Sequence, residues 1–368
     1  MSSGDFFPYQ SSIEQYQQAA QALFDGLRSG DDAAAWRFKW LHPRFRGRSV
    51  KEVNAAVLDF ADAQLVVAHE HAFETWSDLV GFTDVIRRGG SVARFEAAVE
   101  GLVLGDVATL RRLLIANPEL TTARSSRRHY ATLLHYAAAN GVEGYRQKTP
   151  ANAIDVVRVL LDAGAEVDAL ADMYDVKCTT MSLLVSSCHP ANAGLQSALA
   201  ETLLNYGAAL DGPGSKWESP LMTALTFGYL STAEVLARRG ARVDTIVAVA
   251  GLGRAEDTAR MLPVSDSHGR RIALSLAAQL GHAHVVRLLL DAGEDPDRYN
   301  SDEVHPHSTP LHQAVCSGHE NVVRLLVERG ARLDMRDTIY GSTPLGWAIH
   351  CEKLAIADYL RERGAMTS

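Results

Sequence analysis

A 34-residue spacing constrains this chain more than any other feature of it. The stretch "STPLHQAVCSGHENVVRLLVERGARLD" from Ser308 recurs as "STPLGWAIHCEKLAIADYLRERGA" from Ser342, setting Pro310 and Pro344 34 residues apart. The same frame fits "RIALSLAAQLGHAHVVRLLLDAGEDPD" from Arg271 and "ESPLMTALTFGYLSTAEVLARRGARVD" from Glu218. A unit this short cannot bury its apolar face alone, so copies must stack on one another. Stacking also accommodates 368 residues, more than one compact core usually holds.

Each copy follows one physical grammar. A Thr or Ser caps a first short helix, Pro occupies the first turn where its missing N–H costs nothing, and small Ala residues permit close packing. A glycine then breaks the helix. The second helix carries apolar residues at helical spacing, as in Val285, Val286, Leu288, Leu289 and Leu290, and stops near Gly293. Gly207, Gly240, Gly330 and Gly364 hold the corresponding places.

This grammar resembles the ankyrin repeat, whose T-P-L-H-x-A signature "TPLHQA", Thr309 to Ala314, matches in full. The resemblance covers roughly residues 91–366. It implies an all-α fold, an ankyrin-repeat solenoid of about eight helix-turn-helix units, with a concave face built from first helices and protruding finger turns. The units begin near Ser91, Arg128, Val176, Lys216, Thr245, Arg271, His307 and Ser342. The fifth, "VAVAGLGRAEDTARMLP", is short and is followed by "VSDSHGR", so an irregular finger is expected there.

Residues 1–90 follow another rule and read as a small helical N-terminal domain ahead of an ankyrin-repeat domain at 91–368. "SSIEQYQQAAQALFDGLRSGDDAAAWRFKWL" reads as two helices broken at Gly30, and "LDFADAQLVVAHEHAFETWSDLVGFTDVIRRG" as two more broken near Ala72 and Phe73. In its "ADAQLVVAHEHAFETWSDL" the chain is similar to bacterial ankyrin-repeat proteins with such a segment. The resemblance implies a fold and no assigned activity.

Two adjacent units depart from the period at the same structural point. In the second, "NGVEGYRQKTP" (Asn140 to Pro150) puts an insertion near 142–151 between its helices; in the third, "HPANAGLQ" (His189 to Gln196) puts one near 189–196. Two readings stand. If the loops fold over the concave side, Tyr136, Asn140, Tyr145, Arg146, Gln147, Tyr174, His189 and Gln196 would wall a binding site, combining aromatic surface with directional hydrogen-bond groups. Otherwise the same groups cap helix ends and tie the loops together. In the last unit Gly346 replaces the motif histidine, and Trp347 and His350 lie three apart on one helix face, where core packing and ligand contact are both open.

Catalytic motifs are sparse, and no catalytic residue, metal ligand or cofactor is assigned. "HEH", His69 to His71, lacks the i,i+4 histidine pair of a zinc-protease helix, and His305 and His307 have no third ligand in view. Cys188 and His189 are sequence neighbours that a helix would point apart. No GxSxG, P-loop or GxGxxG context occurs. His282 and His319 follow an inter-helix glycine, and His312 sits in the TPLH motif, where the resemblance implies structural work.

Composition narrows the partner. A formal net charge of −8 disfavours broad nucleic-acid or anionic-membrane binding. The exception is "WRFKWLHPRFRGRSVK", Trp36 to Lys51, with six basic residues, four aromatics and no acidic one: either arginines lying over apolar neighbours or a contact for an acidic partner. Four cysteines without a CxxC pair, no apolar leader and no long apolar run point to reduced thiols in a cytoplasmic protein. The expected function is a non-catalytic module that binds a protein partner through its concave face and finger turns. The alternative is a small-molecule-binding protein or unusual enzyme with a pocket between the insertions, Arg146 holding an anion and His189 moving a proton.

Overall fold

The computed structural model describes residues 9–214 and 219–367. The first eight residues of the expected N-terminal domain, and the start of the fourth unit near Lys216, lie outside the described residues. The chain forms two compact units, Met1–Gly214 and Ser215–Ser368.

In the first unit, α1 (Ile13–Arg28), α2 (Asp32–Leu41), α3 (Val50–Asn54), α4 (Phe60–Glu70) and α5 (Trp76–Arg88) close around a core that includes Tyr16, Leu23, Phe38, Val66, Leu79 and Phe82. Their starts are legible in the capping boxes Ser49 with Glu52, Asp59 with Asp62 and Thr75 with Asp78. The break between α4 and α5 falls where expected, with Ala72 at φ 60°. Helix pairs follow: α6 (Ser91–Leu104) with α7 (Val107–Ala116), then α8 (Leu133–Tyr136) with α9 (Ala153–Asp162). The finger after α9 is a true hairpin, β1 (Ala171–Met173) antiparallel to β2 (Val176–Cys178), with Met173 opposite Val176.

The third pair is α10 (Thr180–Leu184) and α12 (Gln196–Asn205), and between them lies a helical turn, α11 (Cys188–Asn192). The second insertion is therefore no open loop. Pro190 is buried, and the left-handed Gly194 (φ 70°) lets the chain turn into α12.

The second unit stacks five pairs: α13 (Pro220–Thr226) with α14 (Leu230–Arg238), α15 (Ile246–Gly251) with α16 (Ala255–Met261), α17 (Ser267–Gln279) with α18 (Ala283–Asp291), α19 (Pro310–Ser317) with α20 (Glu320–Glu328), and α21 (Pro344–His350) with α22 (Leu354–Glu362). Its core runs through Val285, Leu289, Leu311, Val315, Val323, Leu326 and Leu360. Where the fifth unit's finger was expected to be irregular, a 3-10 turn at Leu262–Val264 leads directly into α17. That helix starts ahead of Arg271 because the Asp266 carboxylate accepts from Gly269 N at 2.7 Å.

The histidines read as structural occupy structural places. The His312 ring accepts at Nδ1 from Thr309 N (3.3 Å), with Thr309 Oγ1 at 2.8 Å, while Nε2 faces Ser342 O in the next unit at 3.2 Å. His282 and His319 explain the glycines they pack on: a Cβ at Gly253 would meet His282 Nδ1 at 2.6 Å, and one at Gly281 would meet His319 Nδ1 at 2.6 Å. Both glycines also have left-handed backbones, so the turn and the close ring approach require the same residue.

Candidate functional site

The insertion at 142–151 turns inward. Its 3-10 turn Gly144–Arg146 delivers Glu143 and Arg146 into a charge cluster that is almost sealed from water. Arg146 Nη1 lies 2.7 Å from Glu96 Oε2 and 3.2 Å from Glu143 Oε1; Arg127 Nη2 lies 3.1 Å from Glu96 Oε2, and Arg127 Nε pairs with Glu143. Arg127 also donates to His71 O at 2.7 Å and stacks on Phe73 and Phe82, with centroids at 4.8 and 4.7 Å. The cluster thus draws on α4 and α5, on α6, on the 125–130 finger and on the insertion.

Two carboxylates and two guanidiniums balance in this apolar setting. Burial opposes ionisation of Glu143, but Arg127, His129 and Arg146 outweigh it and hold the carboxyl well below its ordinary range. Burial likewise opposes charge on both arginines, and Glu143 and Glu96 keep them firmly protonated. His71 is pushed down to about 3, by burial first and by Arg127 next, and is neutral at pH 7.

The other side chains expected to wall a site are mostly committed to the protein itself. Tyr136 is buried, with its hydroxyl 3.5 Å from Glu143, and the Tyr145 ring lies 5.5 Å from His71. Asn140 Nδ2 donates to Leu183 O (3.0 Å) and Ser186 Oγ (2.9 Å), and Gln147 donates to Val142 O (2.8 Å). Gln196 is buried and donates to Leu184 O (2.9 Å) and Ser187 O (3.0 Å). Tyr174 donates to Asn140 Oδ1 at 2.5 Å yet remains 65% exposed. His189 is half-buried in α11. The structure brings Tyr136, Tyr145 and Arg146 to the charge cluster, and Asn140 to Tyr174.

In the second unit, Trp347 donates from Nε1 to Asp337 Oδ2 at 3.0 Å, and His350 is exposed on the same helix. Asp337 organises its finger: it also accepts from Ile339 N (3.0 Å), Tyr340 N (2.6 Å) and Ser342 N (2.9 Å). Ile339 and Tyr340 stand exposed at the tip, Tyr340 at 78%.

Elsewhere, His69 faces two main-chain carbonyls, Leu41 O at 2.7 Å and Glu74 O at 3.1 Å, which accounts for the HEH stretch. In the basic segment, Arg37 pairs with Glu70, Arg44 lies over Phe45 at 5.6 Å, and Lys39 lies 4.3 Å over Trp36, whose ring stacks on the exposed Trp40.

Sequence reasoning did not find Glu96, Arg127, Glu143 or His71. One signal was present: Glu96 falls on the apolar face of α6 beside Phe95 and Val99. In "SSRRHY" (125–130) the alternation belongs to the structure, with Ser125, Arg127 and His129 buried and Ser126, Arg128 and Tyr130 exposed. The outward set faces α5 across a cleft of about 510 Å³.

Among the described residues no helix is long and apolar enough to cross a membrane. Comparison with curated proteins gives no match. Among solved structures the chain is similar to the human ASB11 ankyrin repeat domain, at 19% identity and a TM-score of 0.38, over 72% of this chain and 96% of that one. The family described as ankyrin repeats (3 copies) matches residues 248–337 and 274–367, and the ankyrin repeat family matches residues 129–172. The chain therefore carries ankyrin repeats at 129–172 and 248–367, in an all-α ankyrin-repeat fold.

Proposed function

We propose that this protein is a non-catalytic interaction module that binds a protein partner through its finger turns and the first-helix surfaces beside them. One observation carries the reading. The hairpin between β1 and β2 turns through Tyr174 and Asp175, both left-handed at φ 55° and 62°. A two-residue turn of this kind favours Asn-Gly, and non-glycine residues in that region cost on the order of 1 kcal/mol each. Tyr174 nonetheless sits there, its ring exposed and its hydroxyl anchored on Asn140. A strained, pre-positioned tyrosine at a tip is what a rigid recognition surface needs, since little side-chain freedom is lost on binding. Exposed Tyr340, held by the Asp337 turn, gives the second unit a comparable tip.

The test replaces Tyr174-Asp175 by Asn-Gly and, separately, Tyr340 by Ala in the tagged full chain. Proteins retained by the wild type are identified, and their affinities are measured for each variant. The Asn-Gly change is expected to raise the melting temperature while weakening a retained partner about tenfold or more, as loss of an aromatic anchor does. Equal affinity in both variants would overturn the finger reading.

A further inference from the structure

We infer that the cleft between α5 and the 125–130 finger is a second recognition site, seating an extended peptide segment whose main chain crosses Gly81. The cleft lies wholly within the first compact unit and holds about 510 Å³. Phe73 and Phe82, the rings that carry the Arg127 guanidinium, lie beneath it. Its floor is therefore braced by the charge cluster and does not need a ligand to form.

Gly81 is the informative residue. It sits inside the 13-residue helix α5, where glycine is a far poorer helix former than alanine. A Cβ built there meets nothing within 4 Å, and its φ is not left-handed, so neither packing nor backbone geometry in this fold calls for glycine. A mid-helix glycine with no internal reason, on the wall of a cleft, leaves room for close approach from outside.

The walls state the chemistry of the occupant. Along α5, Asp78, Gly81 and Val85 recur at helical spacing on one face, and Glu74 precedes the helix at the same end as Asp78. The facing wall presents the outward finger residues Arg128 and Tyr130. Tyr130 is itself left-handed at φ 49°, with its carbonyl held by Arg124 at 3.0 Å, so its backbone is held in place and its ring stands exposed on the wall. Charge complementarity gives a bipolar peptide: a lysine or arginine over Glu74 and Asp78, an acidic side chain against Arg128, and an apolar residue between Val85 and Tyr130.

A phage-displayed library of random dodecapeptides, selected on the full chain, tests this independently of the finger tips. Selected peptides are synthesised with a fluorophore and titrated by polarisation against the wild type, Gly81→Leu, Arg128→Glu and Tyr174→Ala. Gly81→Leu fills the cleft while improving helix propensity, so circular dichroism and melting temperature should hold or rise. We expect a basic-to-acidic consensus, a Kd raised about tenfold or more by Gly81→Leu and by Arg128→Glu, and no change with Tyr174→Ala. Absence of the consensus, or peptides that bind Gly81→Leu as they bind the wild type, would overturn the assignment. Failure of Tyr174 in partner capture would leave this result untouched.

Discussion

At the residue scale, three buried histidines make the fold sensitive to mild acid. Burial, the largest cause for each, pushes His71 to about 3 and His135 and His312 to about 4. Below pH 6.5 the unfolded chain takes up protons that the folded chain refuses, so stability is full above 6.5 and is lost as pH falls toward 4. The slope is roughly 1.4 kcal/mol per pH unit for each histidine. Glu143 adds to the loss further down: its folded pKa is depressed, so its contribution is present above the unfolded value of about 4.3 and fades below it. Urea midpoints should therefore drop between pH 7 and pH 5, and equal midpoints would contradict these burials. His312 was legible from its TPLH setting. His71 was not, because the rings packed on it come from distant parts of the chain, Tyr16 of α1 at 4.9 Å and Tyr145 of the insertion at 5.5 Å.

At the element scale, periodicity recovered what is local and missed what is long-range. Caps, Pro at the first helical turn and inter-helix glycines mark most of the repeat helices, since each signal acts within one turn. The destination of "NGVEGYRQKTP" depends on Glu96 and Arg127, which lie on other elements, so its polar residues could be noted but not paired. Under the alternative reading Arg146 would hold an anion, whereas its guanidinium already meets two buried carboxylates. The finger turn at Asp337 shows a similar dependence on one side chain. Asp337 is buried; burial opposes its charge, but the turn's N–H groups and Trp347 hold its pKa below the usual range. Asp337→Ala should cost about 2–3 kcal/mol by orphaning these donors and should loosen Tyr340. Urea unfolding would check the first, and faster amide exchange at Ile339 and Tyr340 the second; a finger as protected as before would contradict the role given to the carboxylate.

At the scale of the whole molecule, the N-terminal helices share a compact unit with the first three helix pairs, and that unit ends near residue 214. The charge cluster explains that sharing: Arg127 reaches His71 O and the Phe73 and Phe82 rings from a repeat finger, while the insertion closes the cluster from the other side. Repeat arrays store stability in neighbour contacts, so losing this tie should act on its own unit first. The most direct test is Arg146→Ala in the full chain, followed by urea unfolding and amide hydrogen exchange. Removing one partner from a buried ion cluster leaves Glu96 and Glu143 undercompensated, and a loss of about 3–5 kcal/mol is predicted, with faster exchange across residues 9–214 and little change across 219–367. An unchanged unfolding midpoint with unchanged exchange would mean that the inserted loop does not hold the N-terminal helices to the repeats.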